Sequence, residues 1–130
     1  MPVILLCTLI FIMSSNPYPE SIPGILFLDK LIHFFVYGLL GILFFRAVRE
    51  RDSSRFQGYS MILGIALASL YGISDEIHQY FTPDRVADLY DVTADILGSL
   101  TGVLLYQFFI HKYYASFPYH SHMDKIEIFI

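Results

Sequence analysis

The sequence has few charged residues and almost no cysteine. Its 130 residues include eight Lys and Arg and twelve Asp and Glu, or 15% of the chain, against roughly 25% in an average soluble domain. Hydrophobic residues make up 55%, which excludes intrinsic disorder, since disorder requires low hydrophobicity and high net charge. A single cysteine, Cys7, excludes an intrachain disulfide and a cysteine-based metal cluster. The net charge of −4 provides no basic surface for nucleic acid.

Charge is also absent from four long stretches of the chain. Residues 1–19, 31–45, 56–74 and 96–111 contain no Asp, Glu, Lys or Arg. A helix needs about 20 mostly apolar residues to cross a bilayer. Buried helices of a soluble bundle would instead show a polar face at every turn, and the second and third stretches have almost none. The sequence therefore predicts an all-α integral membrane protein, a bundle of four transmembrane helices formed by residues 1–112.

The first stretch and the orientation need separate arguments. Pro17 and Pro19 end the first stretch early, so it would need a tilted helix or a thinned bilayer to cross. Half of the chain's eight cations lie in one short segment, at Arg46, Arg49, Arg51 and Arg55. Short loops rich in Lys and Arg are cytoplasmic. This predicts a multi-pass protein with cytoplasmic termini, a cytoplasmic tail at residues 113–130, and outer loops at residues 16–28 and 80–90.

Acidic residues cluster at the predicted outer end of the bundle. Six acids fall within 21 residues, with Arg85 as the one cation among them: Asp75, Glu76, Asp84, Asp88, Asp91 and Asp95. The strictly apolar parts of the third and fourth spans are about 15 residues, or roughly 23 Å. The flanking polar residues must therefore extend these helices. Because an ionisable group in the membrane is costly, it normally faces the protein interior and has a function.

Helical spacing places the polar residues on stripes that continue into small residues. The stripes are Asp29, His33, Tyr37 and Gly41; Gly64, Ala68, Gly72, Asp75 and Gln79; and Asp88, Asp91, Asp95, Gly98 and Gly102. Small residues let membrane helices approach closely. We therefore expect seven residues to converge on one pocket near the outer leaflet: Asp29, His33, Asp75, Glu76, His78, Asp91 and Asp95.

Several of these residues also have a purely structural interpretation. Asp88 would cap the fourth helix, with Asp91 in its first turn. His78 would point away from Asp75 and reach water. Asp29 and Lys30 would mark the membrane interface. Arg85 would be an ordinary loop cation or the neutralising partner of the acids.

Three groups of residues also follow one another in a recognisable order. They are residues 29–34 with Tyr37 and Gly38, residues 71–85, and residues 88–98 with Gly102. In this order they resemble the signatures of the VanZ-like family (teicoplanin-resistance protein VanZ-like domain) over roughly residues 10–110, and Ser14 and Ser15 fit as well. Asp95 stands where the family more often has Asn. Asp84 stands where it often has Gly, so a differently shaped turn is expected there.

The resemblance implies a multi-spanning bacterial membrane protein of the cell envelope. The family's namesake confers low-level resistance to teicoplanin, a lipoglycopeptide that binds cell-wall precursors, and no reaction is carried over from it. The resemblance also implies that ten of the polar residues matter, without assigning their roles: Asp29, Lys30, His33, Tyr37, Asp75, Glu76, Gln79, Arg85, Asp91 and Asp95.

Two functions follow as hypotheses. A binder would hold a membrane lipid, a lipid-linked envelope component or a lipidated drug, using Asp29, Lys30, Tyr37, His78, Gln79, Arg85, Asp88, Asp91 and Asp95. An enzyme would use Asp75 or Glu76 as base with His33 as partner, while Arg85 and Lys30 hold a phosphate or carboxylate head group. No Gly-x-Ser-x-Gly nucleophile motif is present.

A metal-dependent version of either function is a third alternative. The acids and His33 offer suitable donor types, but no H-E-x-x-H or EF-hand spacing supports it. The sequence therefore predicts no metal and no cofactor. The expected partners are a membrane lipid or lipid-linked envelope component and, as an option, further copies of the chain, with no nucleic acid.

Overall fold

The computed structural model describes residues 2–16, 26–51 and 57–116, and these residues form four α-helices without a strand. The helices are α1 (Pro2–Ser14), α2 (Leu26–Arg51), α3 (Gln57–Tyr80) and α4 (Leu89–Ser116). The predicted all-α helical bundle is thus confirmed. Most of the predicted outer loop at residues 16–28, Arg55 of the basic segment and most of the tail at residues 113–130 lie outside the described residues.

Three of the four helices are long and apolar enough to cross a membrane. The candidate spans are Leu28–Glu50, Tyr59–Tyr80 and Leu89–Tyr113. As predicted, the helices extend through the polar residues that flank the charge-free stretches. The first predicted span forms a shorter apolar helix, since the 13 residues of α1 measure about 20 Å at 1.5 Å per residue. The cytoplasmic position of both termini stays a prediction.

Helices α2 and α4 form the most extensive contact in the bundle, while α1 packs against α2 and α3. The close approach of α2 and α4 depends on glycine. A Cβ atom at Gly98 would overlap the carbonyl oxygen of Phe34, and one at Gly102 would overlap the carbonyl oxygen of Gly38. The predicted small-residue stripe of α4 therefore lies at a helix–helix contact, as membrane helices use such stripes.

The bundle has two distinct ends. The name polar end is used for the end that holds the C-termini of α1 and α3 and the N-termini of α2 and α4. At this end Ser14 of α1 contacts Asp75 of α3. A short turn at residues 81–88 joins α3 to α4 at this end. Asp84 adopts a φ of 60°, a left-handed conformation that glycine takes freely and Asp tolerates better than most residues. Asp84 thus takes up a backbone conformation that suits glycine, and a turn shaped differently from that of the family stays a prediction.

Replacing Gly98 with Ala should separate α2 from α4, because the added methyl group has no room beside the Phe34 carbonyl. We expect a loss of about 1–3 kcal/mol, typical of overpacking in a tight core, measured as a lower midpoint of SDS-induced unfolding. The control is Leu97→Ala, at a neighbouring side chain that is 50% exposed. An unchanged midpoint in the Gly98 variant would show that this contact does not determine stability.

Candidate functional site

Six polar side chains are almost completely buried at the polar end. They are Ser14, Asp75, Glu76, Gln79, Asp91 and Asp95, each with at most 6% of its surface exposed. Four of these are acids, in a chain whose acids number only twelve. The structure therefore places the polar ends of the α3 and α4 stripes toward the bundle interior, where each ionisable group needs a partner.

Lys30 joins α2 to the start of α4. Its Nζ atom lies 2.7 Å from Asp88 Oδ2 and 2.9 Å from Asp91 Oδ1. The other oxygen of Asp88 accepts a hydrogen bond of 2.9 Å from the Tyr90 main-chain nitrogen, so Asp88 is the N-cap of α4 as its structural interpretation predicted. The Lys30 ammonium beside it holds the pKa of the Asp88 carboxyl below its usual range. Lys30 is thus an internal ion-pair partner.

His33 pairs with Asp95 across the same helix contact. His33 Nδ1 and Asp95 Oδ1 lie 2.9 Å apart, and the His33 ring stacks on Tyr37 with a centroid separation of 6.0 Å. Asp95 is fully buried. The carboxylate at this position, where the resemblance leads one to expect Asn, gives His33 an acidic partner. The second carboxylate oxygen of Asp95 has no hydrogen-bond partner among the described residues.

Asp75 and Glu76 serve different parts of the structure. Asp75 accepts hydrogen bonds from the Ser14 hydroxyl at 2.5 Å and the Gln79 amide at 3.1 Å. Glu76 accepts the Asp88 main-chain N–H at 2.8 Å and, more weakly, the Gln79 amide at 3.4 Å. Glu76 therefore holds the turn that leads into α4, whereas Asp75 faces α1. Neither carboxylate forms an ion pair with His33 in the described part of the chain.

Helix α1 is attached to the polar end by hydrogen bonds. The Arg85 guanidinium donates to the carbonyl oxygens of Met13 at 2.6 Å and Asn16 at 2.9 Å, a favourable position for a cation at a helix C-terminus. Ser15 Oγ lies 3.0 Å from His78 Nε2, and the Phe11 ring packs on the same histidine. His78 therefore faces α1. Pairing to main-chain carbonyls leaves no pattern in the sequence, so this role of Arg85 could not have been read from it.

A pocket of about 350 Å³ lies between α1, α2 and α3. Its walls are apolar and consist of Leu6, Leu9, Ile10, Met13, Ile32 and Val36. Its polar lining residues are Ser14, Asp29, His33, Tyr37, Asp75, Gln79 and Arg85. The hydroxyl of Tyr37, whose side chain is 1% exposed, has no hydrogen-bond partner among the described residues. We call the seven polar lining residues the polar floor of the pocket and the six apolar ones its walls.

The twelve predicted site residues divide between this pocket and the surrounding network. Six of them line the pocket: Asp29, His33, Tyr37, Asp75, Gln79 and Arg85. The other six lie in the adjoining hydrogen-bond network: Lys30, Glu76, His78, Asp88, Asp91 and Asp95. Ser14 also lines the pocket, although the sequence placed it only within the family resemblance. The prediction of one shared pocket is therefore correct only in part. Asp29, His33 and Asp75 line the pocket. The other four predicted members are held by hydrogen bonds around it: Glu76, His78, Asp91 and Asp95.

One group of side chains at this end has the composition of a metal site. Asp29, His33 and Asp91 each offer a ligand atom within 4.8 Å of the others. One imidazole and two carboxylates suit Zn²⁺ by donor type. The Lys30 ammonium, however, already neutralises Asp91. A metal-dependent version of the binding or enzymatic function therefore stays an alternative. The geometry does not favour it over a site without metal.

Comparison with known proteins identifies the family. The family model described as VanZ/LLP1 matches residues 1–110. No curated protein and no solved structure matches the chain. The matched region contains all four helix starts, the pocket and the whole polar network. Since the match covers most of the 130 residues, this chain belongs to the VanZ/LLP1 family.

Proposed function

We propose that this protein is a multi-pass protein of the bacterial cell membrane that binds an amphiphile in the pocket between α1, α2 and α3. The amphiphile would be a membrane lipid, a lipid-linked envelope component or a lipidated drug. Binding at the outer leaflet would then change access of a teicoplanin-type glycopeptide to its target and contribute to resistance.

The observation that carries this proposal is the division of the pocket into apolar walls and a polar floor. Its volume of about 350 Å³ lies within the range of small-molecule sites, which combine apolar walls with a few placed polar groups. Leu6, Leu9 and Val36 would contact an alkyl chain, while Asp75 and Tyr37 would meet its head group. An amphiphile satisfies both surfaces at once.

Blocking the pocket should remove the ligand. Ile32 lines the pocket and is 49% exposed, whereas Leu39 lies on the same helix outside the pocket and is 50% exposed. We expect Ile32→Trp to reduce the lipid that co-purifies with the protein by about tenfold, equivalent to 1.4 kcal/mol, as measured by native mass spectrometry. Leu39→Trp is the matched control and should retain the lipid.

The same two variants connect binding to resistance. In cells that express the protein, Ile32→Trp should lower the inhibitory concentration of teicoplanin to that of cells without it, and Leu39→Trp should not. Equal lipid retention by both variants would refute binding in this pocket. Equal resistance with unequal lipid retention would separate the pocket from the resistance function.

A membrane-embedded enzyme is the second candidate, supported by the His33–Asp95 pair. A carboxylate that orients an imidazole is a common acid–base arrangement, and His33 lines the pocket together with Asp75. Glu76 is less suited to act as base because both of its oxygens already accept hydrogen bonds, from the Gln79 amide and the Asp88 main-chain N–H. If the protein is an enzyme, cell lipids should show a species of altered mass that disappears with His33→Gln while the bound lipid persists. An unaltered lipid profile would refute the enzymatic function.

The orientation of the pocket has its own test. In a Cys7→Ser background, cysteines at Phe81 and Tyr90, which are 76% and 73% exposed, should react with an impermeant maleimide in whole cells. A cysteine at Arg49, exposed at the opposite end, should react only after the membrane is opened. The reverse pattern would place the pocket at the cytoplasmic face and contradict the proposed route to resistance.

A further inference from the structure

The polar floor of the pocket has a carboxylate without a cationic partner. Asp75 is 6% exposed, and both of its hydrogen bonds come from neutral donors, the Ser14 hydroxyl and the Gln79 amide. Among the described residues, no Lys, Arg or His forms an ion pair with it. A buried charge is normally paired, because removing it from water without compensation is costly.

The cations around the floor are already engaged elsewhere. Lys30 is paired with Asp88 and Asp91, and His33 with Asp95. Arg85 directs two of its hydrogen bonds to main-chain carbonyls at the end of α1. The floor also contains a second carboxylate, that of Asp29. An anionic head group, which the enzyme hypothesis assigned to Arg85 and Lys30, would therefore approach two carboxylates.

Tyr37 provides a second polar atom in the pocket, next to the Asp75 carboxylate. Its hydroxyl belongs to a pocket-lining side chain that is 1% exposed, and it has no hydrogen-bond partner in the described part of the chain. A phenolic oxygen accepts a hydrogen bond as readily as it donates one. An ammonium group has three donors, which is enough for a carboxylate and a hydroxyl together.

We propose that the amphiphile bound in this pocket carries a cationic amine in its head group. The ammonium donates hydrogen bonds to Asp75 and to the Tyr37 hydroxyl, with Asp29 adding negative charge to the floor, and the alkyl chain lies along the apolar walls. This inference rests on the proposed function and specifies its ligand class. Charge-assisted hydrogen bonds of this kind are roughly twice as strong as neutral ones, so the amine determines selectivity.

Three probes with the same twelve-carbon chain test the inference: dodecylamine, N-dodecylacetamide and dodecanoic acid. Binding to the full-length protein in phosphatidylcholine nanodiscs is measured by native mass spectrometry. We expect dodecylamine to bind at least about tenfold more tightly than the neutral amide, equivalent to 1.4 kcal/mol, and dodecanoic acid to bind most weakly. Asp75→Asn should remove the preference for the amine and leave the affinity for the amide unchanged.

Matched variants keep the test decisive. Asp84→Asn removes an exposed acid at the same end but outside the pocket, and Asn tolerates the left-handed backbone there. It should retain the amine preference. Should Asp75→Asn fail to accumulate, Asp29→Asn replaces it, with an expected partial loss of the preference.

The outcomes separate this inference from the proposed function. Equal binding of amine and amide, or tighter binding of dodecanoic acid, would overturn the inference of a cationic ligand. Amphiphile binding in the pocket would still stand if Ile32→Trp abolishes binding of all three probes. An amine preference that persists in Asp75→Asn and Asp29→Asn would also overturn it. If no probe binds, or if Ile32→Trp changes nothing, amphiphile binding in the pocket itself fails and the inference falls with it.

Discussion

The structure depends on the requirement that ionisable groups inside an apolar bundle find partners within the protein. A chain with so few charged residues nevertheless buries Asp75, Glu76, Asp91 and Asp95 at one end. Water is scarce there and the cost of an unpaired charge is correspondingly high. Lys30 and His33 on α2 meet the acids of α4. These contacts require α2 and α4 to lie unusually close together, and glycines on the facing surfaces make that approach possible.

The short helix α1 forms one side of the pocket. It is apolar along its length, yet hydroxyl and main-chain groups at its C-terminus hold it to the polar end, through Ser14, Ser15 and the carbonyls that Arg85 binds. One face of α1 thereby becomes the apolar wall of the pocket. Residues of α2 and α3, together with Ser14 and Arg85, form the polar floor, and α4 contributes to the hydrogen bonds around it. Polar contacts thus hold α1 beside the pocket at two places, at its C-terminus and at the Cys7 carbonyl, which accepts a hydrogen bond from the Tyr71 hydroxyl.

Much of the site could be predicted from the helical periodicity of the sequence. The predictions that failed have a common cause. The stripes of α2, α3 and α4 turn inward as their spacing indicated, with Tyr37, Asp75 and Asp95 all buried. The capping role of Asp88 was also predictable, because an N-cap is a local interaction. The division of the site residues between the pocket and the surrounding hydrogen bonds could not be predicted. Whether Glu76 faces a ligand or the turn before α4 depends on a main-chain N–H twelve residues away, and periodicity places residues on a face without choosing their partners.

The sequence by itself determined that the chain is a bundle of apolar helices with a polar end, because hydrophobic length and helical spacing are local properties of the chain. It also determined which residues face inward. Only the tertiary structure decided how the charges are divided: Lys30 and Arg85, which the sequence made available to a ligand, are engaged by Asp91 and by the end of α1. Asp75 is left with neutral partners. Pairing depends on distances between helices, and those distances follow from packing that no single segment of the chain encodes.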